Sequence, residues 1–212
     1  MSKLLILGAG GHGKVIAEIA ELSKKFNTIS FLDDCNIGSN ICGHTVIGTF
    51  NDYINLLNEF NYAFVAIGNN TVRLELTQKL ISMGYKVPTL IHPQSIISRY
   101  SSIGIGTAIM AGAIVNPCCT IGKACIINTS SSVDHDCTIE DGVHISPGAH
   151  VCGTVNISCC AWVCTGSTII NNTNIGSNSI IAAGATVICD VPSNALVAGT
   201  PAEIKRIIKG CD

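Results

Sequence analysis

The chain has 212 residues, enough for one or two domains with a buried core, and a formal net charge of −2. Only 12 Lys and Arg residues stand against 14 Asp and Glu residues, without a basic run, which argues against a nucleic-acid partner. Although 47% of the residues are hydrophobic, the apolar run 4–7 is far shorter than the ~20 residues of a membrane span. We therefore expect a cytoplasmic protein without a membrane span.

The first ninety residues alternate strand and helix patterns. Residues 3–7 form a continuous apolar run, followed by a glycine turn and by apolar residues at helical spacing. Further buried strands are predicted at 29–32 and 64–67, and a second helix at about 71–83. This alternation favours a small Rossmann-like α/β domain over residues 1–90, with a parallel sheet covered by helices.

The glycine turn after the first strand, residues 8–13, has the spacing G-x-G-x-x-G. Such a turn lets a diphosphate approach backbone amides at a helix N-terminus, and Asp33 or Asp34 follows at a distance suited to ribose or sugar hydroxyls. A domain this small favours one nucleotide with a sugar attached over a dinucleotide. His12, inside the turn, is a candidate donor to a phosphate or a sugar substituent. The alternative is a turn kept only for packing a helix on a strand.

The second half of the chain carries a repeat of six residues. A hexad is too short for a helical unit, whereas three hexads of strand and turn close a triangular coil of eighteen residues. We therefore predict an all-β parallel solenoid over residues 91–212, with a C-terminal cap. The aliphatic residues that fill its axis are Ile97, Ile103, Ile109, Val115, Ile121, Ile127, Val133, Ile139, Ile145, Val151, Ile157, Val163, Ile169, Ile175, Ile181 and Val187.

Two further positions of the hexad are restricted in size. Four residues after each aliphatic residue the side chain is small, and Cys119, Cys125 and Cys137 occupy this place as compact apolar residues. Glycine stands either directly after the aliphatic residue or three residues after it, and both places are predicted corners with positive φ. Because no C-x-x-C motif occurs, we interpret the 12 cysteines as structural, without disulfides or metal ligands.

Charged residues are rare in the solenoid, and four of the six between Ile97 and Val187 fall within residues 134–141. A solenoid fold does not require such a cluster, so we place the chemistry here. The alternative is a solvated corner with acids that add solubility. A histidine in this cluster, His135, has a pKa suited to general-base catalysis near neutrality.

The residues around His135 supply the other parts of an acyl-transfer site. Asp134 or Asp136 is placed to orient the ring, and His144 with the amide of Gly153 is placed to stabilise an oxyanion. One coil separates His135 from Gly153, which we expect to leave room for a ligand. His144 belongs to another face of the triangle than His135, so we predict a homotrimer with sites between adjacent prisms.

Taken together, these motifs resemble the NeuD/PglD family of sugar acetyltransferases over nearly the whole chain. The matching segments are the glycine–histidine turn, residues 31–34, 66–70, 128–130, 133–136 and 198–202, and the hexads. The resemblance implies a left-handed parallel β-helix, a trimer, and N-acetylation of a UDP- or dTDP-linked amino-deoxysugar by acetyl-CoA, without a metal. Glycan or polysaccharide biosynthesis is the pathway implied.

The resemblance also implies roles for individual residues. His135 is the general base and Asp136 raises its basicity, although a close relative has Glu in place of Asp136. Ala183 stands where the family has glycine, which bears on the coenzyme arm or the acyl group. The implied acyl-CoA contacts are His144, Gly153, Thr165 and Ala183, and the implied nucleotide-sugar contacts are Gly10, Gly11, His12, Asp33, Asp34, Gly68 and Asn128.

Two other functions remain open at this stage. The same family contains sialic acid O-acetyltransferases, which use the same base on a hydroxyl group. Left-handed β-helices also carry zinc in carbonic-anhydrase-like trimers, through histidines such as His135, His144 and His150. The acid beside His135 and the nucleotide-binding domain favour sugar acylation over both a zinc enzyme and a purely structural solenoid.

Overall fold

The computed structural model describes residues 2–208, and the chain divides into two compact units, Met1–Pro93 and Gln94–Asp212. The division lies three residues after the predicted boundary at residue 90. Within the described residues, neither helix has the length and apolar character needed to cross a membrane.

The first unit is a five-stranded sheet with its helices, in the strand order β3-β4-β2-β1-β5. Strands β1, β2 and β5 are parallel and confirm the three predicted strands, while β3 and β4 form an antiparallel pair at the edge. The elements are β1 Lys3–Leu7, α1 Gly11–Leu22, β2 Thr28–Leu32, β3 Asn40–Ile41, β4 His44–Gly48, a 3-10 helix Phe50–Ile54, β5 Tyr62–Val65, α2 Asn70–Ser82 and β6 Leu90–Ile91.

The sequence analysis missed β3 and β4 because their burial is weak. In β4 only Val46 and Gly48 are buried, so the strand lacks the continuous apolar run that marks β1, where Leu4 to Leu7 are all fully buried. His44 is a packing histidine, since its Nε2 lies 2.8 Å from Oε1 of Glu21 and its ring contacts Phe31 edge-on.

The second unit is a solenoid whose strands are only two residues long, with a longer pair at the C-terminal end. The strands are β7 Ile96–Ile97, β8 Ser102–Ile103, β9 Ala108–Ile109, β10 Ile114–Val115, β11 Thr120–Ile121, β12 Ile126–Ile127, β13 Ser132–Val133, β14 Thr138–Ile139, β15 His144–Ile145, β16 His150–Val151, β17 Asn156–Ile157, β18 Trp162–Val163, β19 Thr168–Ile169, β20 Asn174–Ile175, β21 Ile180–Ile181, β22 Thr186–Val187, β23 Ala195–Ala198 and β24 Glu203–Ile207.

These strands form the three parallel sheets of a left-handed β-helix, which confirms the predicted fold. We name them by their outward side chains. The Ser132 sheet contains β7, β10, β13, β16, β19 and β22; the polar sheet contains β8, β11, β14, β17 and β20; the Trp162 sheet contains β9, β12, β15, β18, β21 and β23, closed by antiparallel β24. The paired strands from β7 to β22 are one coil, or 18 residues, apart, as Val115 and Val133 are, and the last pair, β21 and β23, is 16 residues apart. The aliphatic ladder therefore stacks into one core, buried except at Ile97 and Ile103.

Positive φ was predicted at two glycine positions of the hexad, and the structure confirms it at one of them only. Three residues after the aliphatic residue, φ is positive in every hexad from Ile103 to Ile181, whether or not the residue is glycine. The glycines directly after the aliphatic residue, Gly104, Gly122 and Gly176, do not have positive φ, so that prediction was wrong. They are needed for close approach instead: a Cβ on Gly122 would lie 2.5 Å from Oδ1 of Asp141.

The small residue of each hexad has a polar function as well as a size limit. Ser101 Oγ donates to Asn116 O at 2.6 Å, and Cys119 Sγ donates to Asp134 O at 2.9 Å, in each case 15 residues further on. Because a buried carbonyl without a partner is costly, these hydroxyl and thiol groups stabilise the corners. The predicted structural role of Cys119 is thereby confirmed.

Candidate active site

His135 lies in the corner that follows β13 and pairs with a carboxylate. Its Nδ1 is 2.8 Å from Oδ2 of Asp136, and both side chains are more than half exposed. The hydrogen bond to Asp136, followed by the charge of Asp134, raises the pKa of His135 above its ordinary value. With Nδ1 bound to the carboxylate, Nε2 is the nitrogen available to accept a proton.

Asp136 reaches the ring because of its place in the corner. It occupies the positive-φ position, with φ of 60°, and its amide donates to Pro117 O of the preceding coil at 3.1 Å. Aspartate tolerates this backbone conformation better than most residues do. Of the two acids considered from the sequence, Asp136 is therefore the one that contacts the imidazole. Its side chain is shorter than the Glu of a close relative but long enough to reach the ring.

Asp134 supports the same corner through the backbone. Its Oδ1 accepts from Asn116 Nδ2 at 2.7 Å and from the amide of His135 at 2.8 Å. These bonds, the one from Asn116 above all, lower the pKa of Asp134. The sequence analysis missed Asn116, although it stands one coil of 18 residues before Asp134, the spacing at which side chains stack.

Gly153 lies directly against the ring of His135. A Cβ at this position would come within 2.5 Å of His135 Cε1 and 2.6 Å of its Nε2. The space that was expected to hold a ligand therefore holds the imidazole itself. Glycine is required here because any Cβ would overlap the imidazole.

Half of the acidic cluster serves the fold. Asp141 Oδ1 accepts from the amide of Lys123 at 2.7 Å, and Glu140 Oε2 accepts from the amide of Cys159 at 2.8 Å. Both carboxylates satisfy corner amides of neighbouring coils, so the expectation that the solenoid does not need them was wrong. Of the four acids in this cluster, Asp134 and Asp136 are the ones that contact His135.

His144 lies on the Trp162 sheet and not beside His135, in agreement with the expected separation of the two imidazoles. Its Nε2 is 3.1 Å from Nδ2 of Asn128, and its ring is stacked on the Trp162 indole with centroids 6.0 Å apart and 6° between the planes. Trp162 Nε1 donates to Ser146 Oγ at 2.8 Å. The sequence analysis missed Trp162 and Ser146, which the 18-residue register places next to His144 and Asn128.

Thr165 and Ala183 lie in one exposed column, one coil apart, at the corner between the Trp162 and Ser132 sheets. The residues that follow them, Gly166 and Gly184, have positive φ, and a Cβ on either would meet no atom within 4 Å among the described residues. This corner presents an open strip of backbone that suits an extended chain such as a coenzyme arm.

In the first unit, the glycine turn has both packing and open positions. A Cβ on Gly13 would collide with the carbonyl oxygen of Gly8, so Gly13 is required for packing α1 against β1. By contrast, a Cβ on Gly10, Gly11 or Gly68 would meet nothing within 4 Å in the described part of the chain. The backbone at these three positions is accessible to a ligand at the carboxyl ends of the strands.

The two acids after β2 bind backbone amides. Asp33 Oδ2 accepts from Ala9 N in the glycine turn at 2.9 Å, and its Oδ1 accepts from Cys35 N at 3.0 Å. The bond from Ala9 is the main reason that the pKa of Asp33 is lowered. Asp34 Oδ1 accepts from the amide of Phe50 at 2.8 Å, at the start of the 3-10 helix. Asp33 therefore shapes the turn, in addition to its predicted contact with a sugar.

His12 occupies the first turn of α1 with its Nε2 buried and without a hydrogen-bond partner in the described residues. Burial, followed by the nearby charge of Arg73, lowers the pKa of His12 to about 4, so the ring is neutral at neutral pH. The Arg73 guanidinium is itself buried and donates to the carbonyls of Ile67 and Gly68 at 3.1 and 3.2 Å. This arginine was missed because a charged residue in the first turn of a polar helix gives no sign of burial.

The cysteines of residues 2–208 are all free thiols. Burial raises the pKa of Cys164 to about 11 and that of Cys159 to about 12. Such thiols are poor nucleophiles at neutral pH. Within the same residues of a single chain, no three His, Cys, Asp or Glu side chains are grouped to hold a metal ion.

Comparison with known proteins relates both units to sugar acetyltransferases. The family described as PglD N-terminal domain matches residues 3–80. UDP-N-acetylbacillosamine N-acetyltransferase of Bacillus subtilis is 38% identical over 121 residues, which cover 52% of this chain and 52% of that protein. The match thus spans about half the length of this curated relative.

Two solved structures match the chain almost from end to end. The acetyltransferase domain of PglB from Neisseria gonorrhoeae, in complex with acetyl coenzyme A, is 41% identical with a TM-score of 0.90, covering 95% of this chain and 98% of that one. A histidine-to-alanine mutant of GDP-perosamine N-acetyltransferase from Caulobacter crescentus, with CoA and GDP-perosamine, is 31% identical with a TM-score of 0.91 and 97% coverage of both chains.

The agreement extends from the sheet and glycine turn of the first unit to the solenoid that carries His135. It includes identity above 30% over nearly the full length of both solved structures. The chain therefore belongs to the NeuD/PglD family of hexapeptide-repeat sugar acetyltransferases.

Proposed function

We propose that this protein transfers an acetyl group from acetyl-CoA to the amine of a nucleotide-linked amino-deoxysugar, with His135 as general base. The observation that carries this proposal is the pairing of His135 with Asp136 on an exposed corner, its ring lying on Gly153. Relatives that bind acetyl-CoA, or CoA together with a nucleotide amino sugar, support the choice of substrates.

The chemistry follows from the state of the His135 ring. As the sugar amine attacks the thioester carbonyl, a C–N bond forms and Nε2 of His135 removes a proton from the amine. Asp136, bound to Nδ1, stabilises the imidazolium that results. When the tetrahedral intermediate collapses, the C–S bond breaks and the coenzyme leaves as a thiolate, which takes up a proton. His144 and the amide of Gly153 are the proposed donors to the oxyanion.

The acceptor is proposed to bind the first unit. Gly10, Gly11 and Gly68 expose backbone at the carboxyl ends of the strands, and His12 adds a nitrogen that has no hydrogen-bond partner within residues 2–208. UDP or dTDP is the proposed nucleotide, while one relative's structure contains a GDP-linked sugar. On the donor side, Thr165 and Ala183 are proposed to line the coenzyme arm.

A homotrimer is proposed as the active form, and the two kinds of outer face support it. The outward residues of the polar sheet are all polar and exposed, whereas the Trp162 sheet presents the exposed Trp162 and the partly exposed Ile180. An apolar face of this kind favours contact with a second copy. His144 on the Trp162 sheet and His135 on another corner would then meet across the boundary between two chains.

The test is release of free CoA thiol from acetyl-CoA with separate UDP-, dTDP- and GDP-linked 4-amino-deoxysugars, and with free sialic acid as the contrasting acceptor. The expected result is turnover with a nucleotide amino sugar, with mass spectrometry showing that the acetyl group is on its nitrogen. Turnover with sialic acid alone would overturn the assignment of the acceptor and favour O-acetylation. Light scattering on the same sample is expected to give three times the chain mass of 22.1 kDa.

A further inference from the structure

The Trp162 sheet places aromatic rings in register on consecutive coils. His144 pairs with Ile126 on one side and with Trp162 on the other, so the imidazole lies between an aliphatic side chain and an indole. The 6° angle between the His144 and Trp162 rings shows that they lie parallel. An aromatic face stacked in this way limits rotation of the imidazole.

Trp162 is held in place although 43% of it is exposed. Its Nε1 donates to Ser146 Oγ at 2.8 Å, and Ser146 is itself buried. A surface indole without such a bond is free to rotate, whereas this one is anchored to the coil that carries His144. The stacking surface against the imidazole is therefore rigid.

The orientation of the Asn128 amide determines which nitrogen of His144 carries the proton. Asn128 Oδ1 accepts from the backbone amide of Thr129 at 2.8 Å, and a backbone N–H only donates. Nδ2 is therefore the atom that lies 3.1 Å from His144 Nε2, and it too only donates. Nε2 must accept this bond, so a neutral ring carries its proton on Nδ1.

Protonation of His144 would place an N–H of the ring against an N–H of Asn128 and break this bond. Building on the proposed function, in which His144 lies in the acyl-CoA site, we propose that Asn128, Ser146 and Trp162 are positioning residues that hold His144 neutral with its proton on Nδ1. His144 is then a hydrogen-bond donor suited to an oxyanion and not a second general base. Asn128 acts through His144, in addition to its proposed contact with the amino sugar.

The experiment measures the ring nitrogens directly. The intact protein is labelled with ¹⁵N-histidine, and His144 is identified by the signals lost in His144→Gln. Two-bond ¹H–¹⁵N spectra at about pH 8 are expected to show a protonated Nδ1 and an unprotonated Nε2. In Asn128→Asp the carboxylate accepts from Nε2–H, so the proton is expected to move to Nε2 or the ring to become charged. Asn156→Asp, on the polar sheet, is the matched control and is expected to leave the His144 signals unchanged.

Trp162→Leu and Trp162→Phe test the stacking. In Trp162→Leu, loss of the indole is expected to mix the two tautomers of His144 and to lower kcat about tenfold, with little change in KM for the acceptor. In Trp162→Phe, the phenyl ring is expected to restore part of the single tautomer and part of kcat. A protonated Nε2 in the wild-type protein, or an unchanged pattern in Asn128→Asp, would overturn the proposal. Since the spectra do not require substrate, the expected pattern in a protein without acyl transfer would refute the proposed function and leave the tautomer assignment standing.

Discussion

His12 in the first unit is expected to contact the acceptor, and His135 in the solenoid is expected to act as the base. The surroundings of the two imidazoles are opposite. His135 is exposed, paired with Asp136, and has a raised pKa. His12 has a buried Nε2, lies near Arg73, and has a pKa lowered to about 4. One residue type thus supplies a proton acceptor on a solenoid corner and, in a glycine turn, a ring that is neutral at neutral pH.

The difference shows that a histidine's role is decided by its partners and by its burial. A carboxylate favours the imidazolium, while burial and a nearby guanidinium oppose it. On this basis, we propose that protonation of His135 accounts for the loss of rate at low pH, and that His12 contributes to binding without titrating near neutral pH. The following measurements test that division.

The largest effect is expected from His135→Ala. Removal of the proposed general base is expected to lower kcat about 100-fold or more, while the proposed trimer and the affinity for acetyl-CoA are retained. The measurement is steady-state thiol release with a nucleotide amino sugar. His150→Ala is the matched control, because His150 is an exposed solenoid histidine whose Nδ1 is bound to Ser132 Oγ at 2.9 Å. Equal loss in both variants would remove His135 from the mechanism.

His12 is expected to make folding stability depend on pH. Between its ordinary value of 6.5 and about 4, the unfolded chain binds a proton at this ring and the folded chain does not. The stabilisation is therefore complete above pH 6.5 and is lost as the pH falls towards 4. From pH 6.5 to 5, wild-type protein should lose about 2 kcal/mol more than His12→Gln in urea unfolding. Parallel pH dependences in the two proteins would contradict the burial of a neutral ring.

Asp136→Asn tests the carboxylate that distinguishes His135 from His12. The base works only when neutral, so kcat/KM falls as the pH drops through the raised pKa of His135. Without the carboxylate this pKa falls, so the low-pH decrease of the pH–rate profile moves to lower pH. On the plateau at higher pH, the rate decreases about tenfold because the imidazolium loses its partner. A pH–rate profile of the variant that superimposes on that of the wild type would show that another group controls the low-pH decrease.

The smallest effect is expected from Asp141→Ala, an acid in the same cluster that does not contact His135. It removes the acceptor for the Lys123 amide, so unfolding should require about 1 kcal/mol less while kcat is unchanged. Urea unfolding and thiol release on the same preparation check both. A large loss of kcat with normal stability would place Asp141 in the site and contradict the split within the cluster.

Several features of the site were open to prediction because they are periodic. The hexad spacing determines which residues fill the axis and which share a column, and it places Gly153 next to His135. The separation of His135 and His144 onto different faces follows from the same count. The 18-residue register would also have identified Trp162 beside His144 and Asn116 beside Asp134, had it been applied to every polar residue.

By itself, the amino-acid sequence determined the α/β unit, the solenoid and the positions of the functional columns, because these depend on alternation and period. Only the tertiary structure decided which carboxylate contacts the His135 ring. Asp136 has positive φ, which directs its side chain to the ring, whereas Asp134 does not. The tertiary structure also decided that Glu140 and Asp141 bind corner amides and that Nε2 of His12 is buried. Such outcomes depend on atoms from neighbouring coils and helices, whose approach is set by packing and not by local sequence.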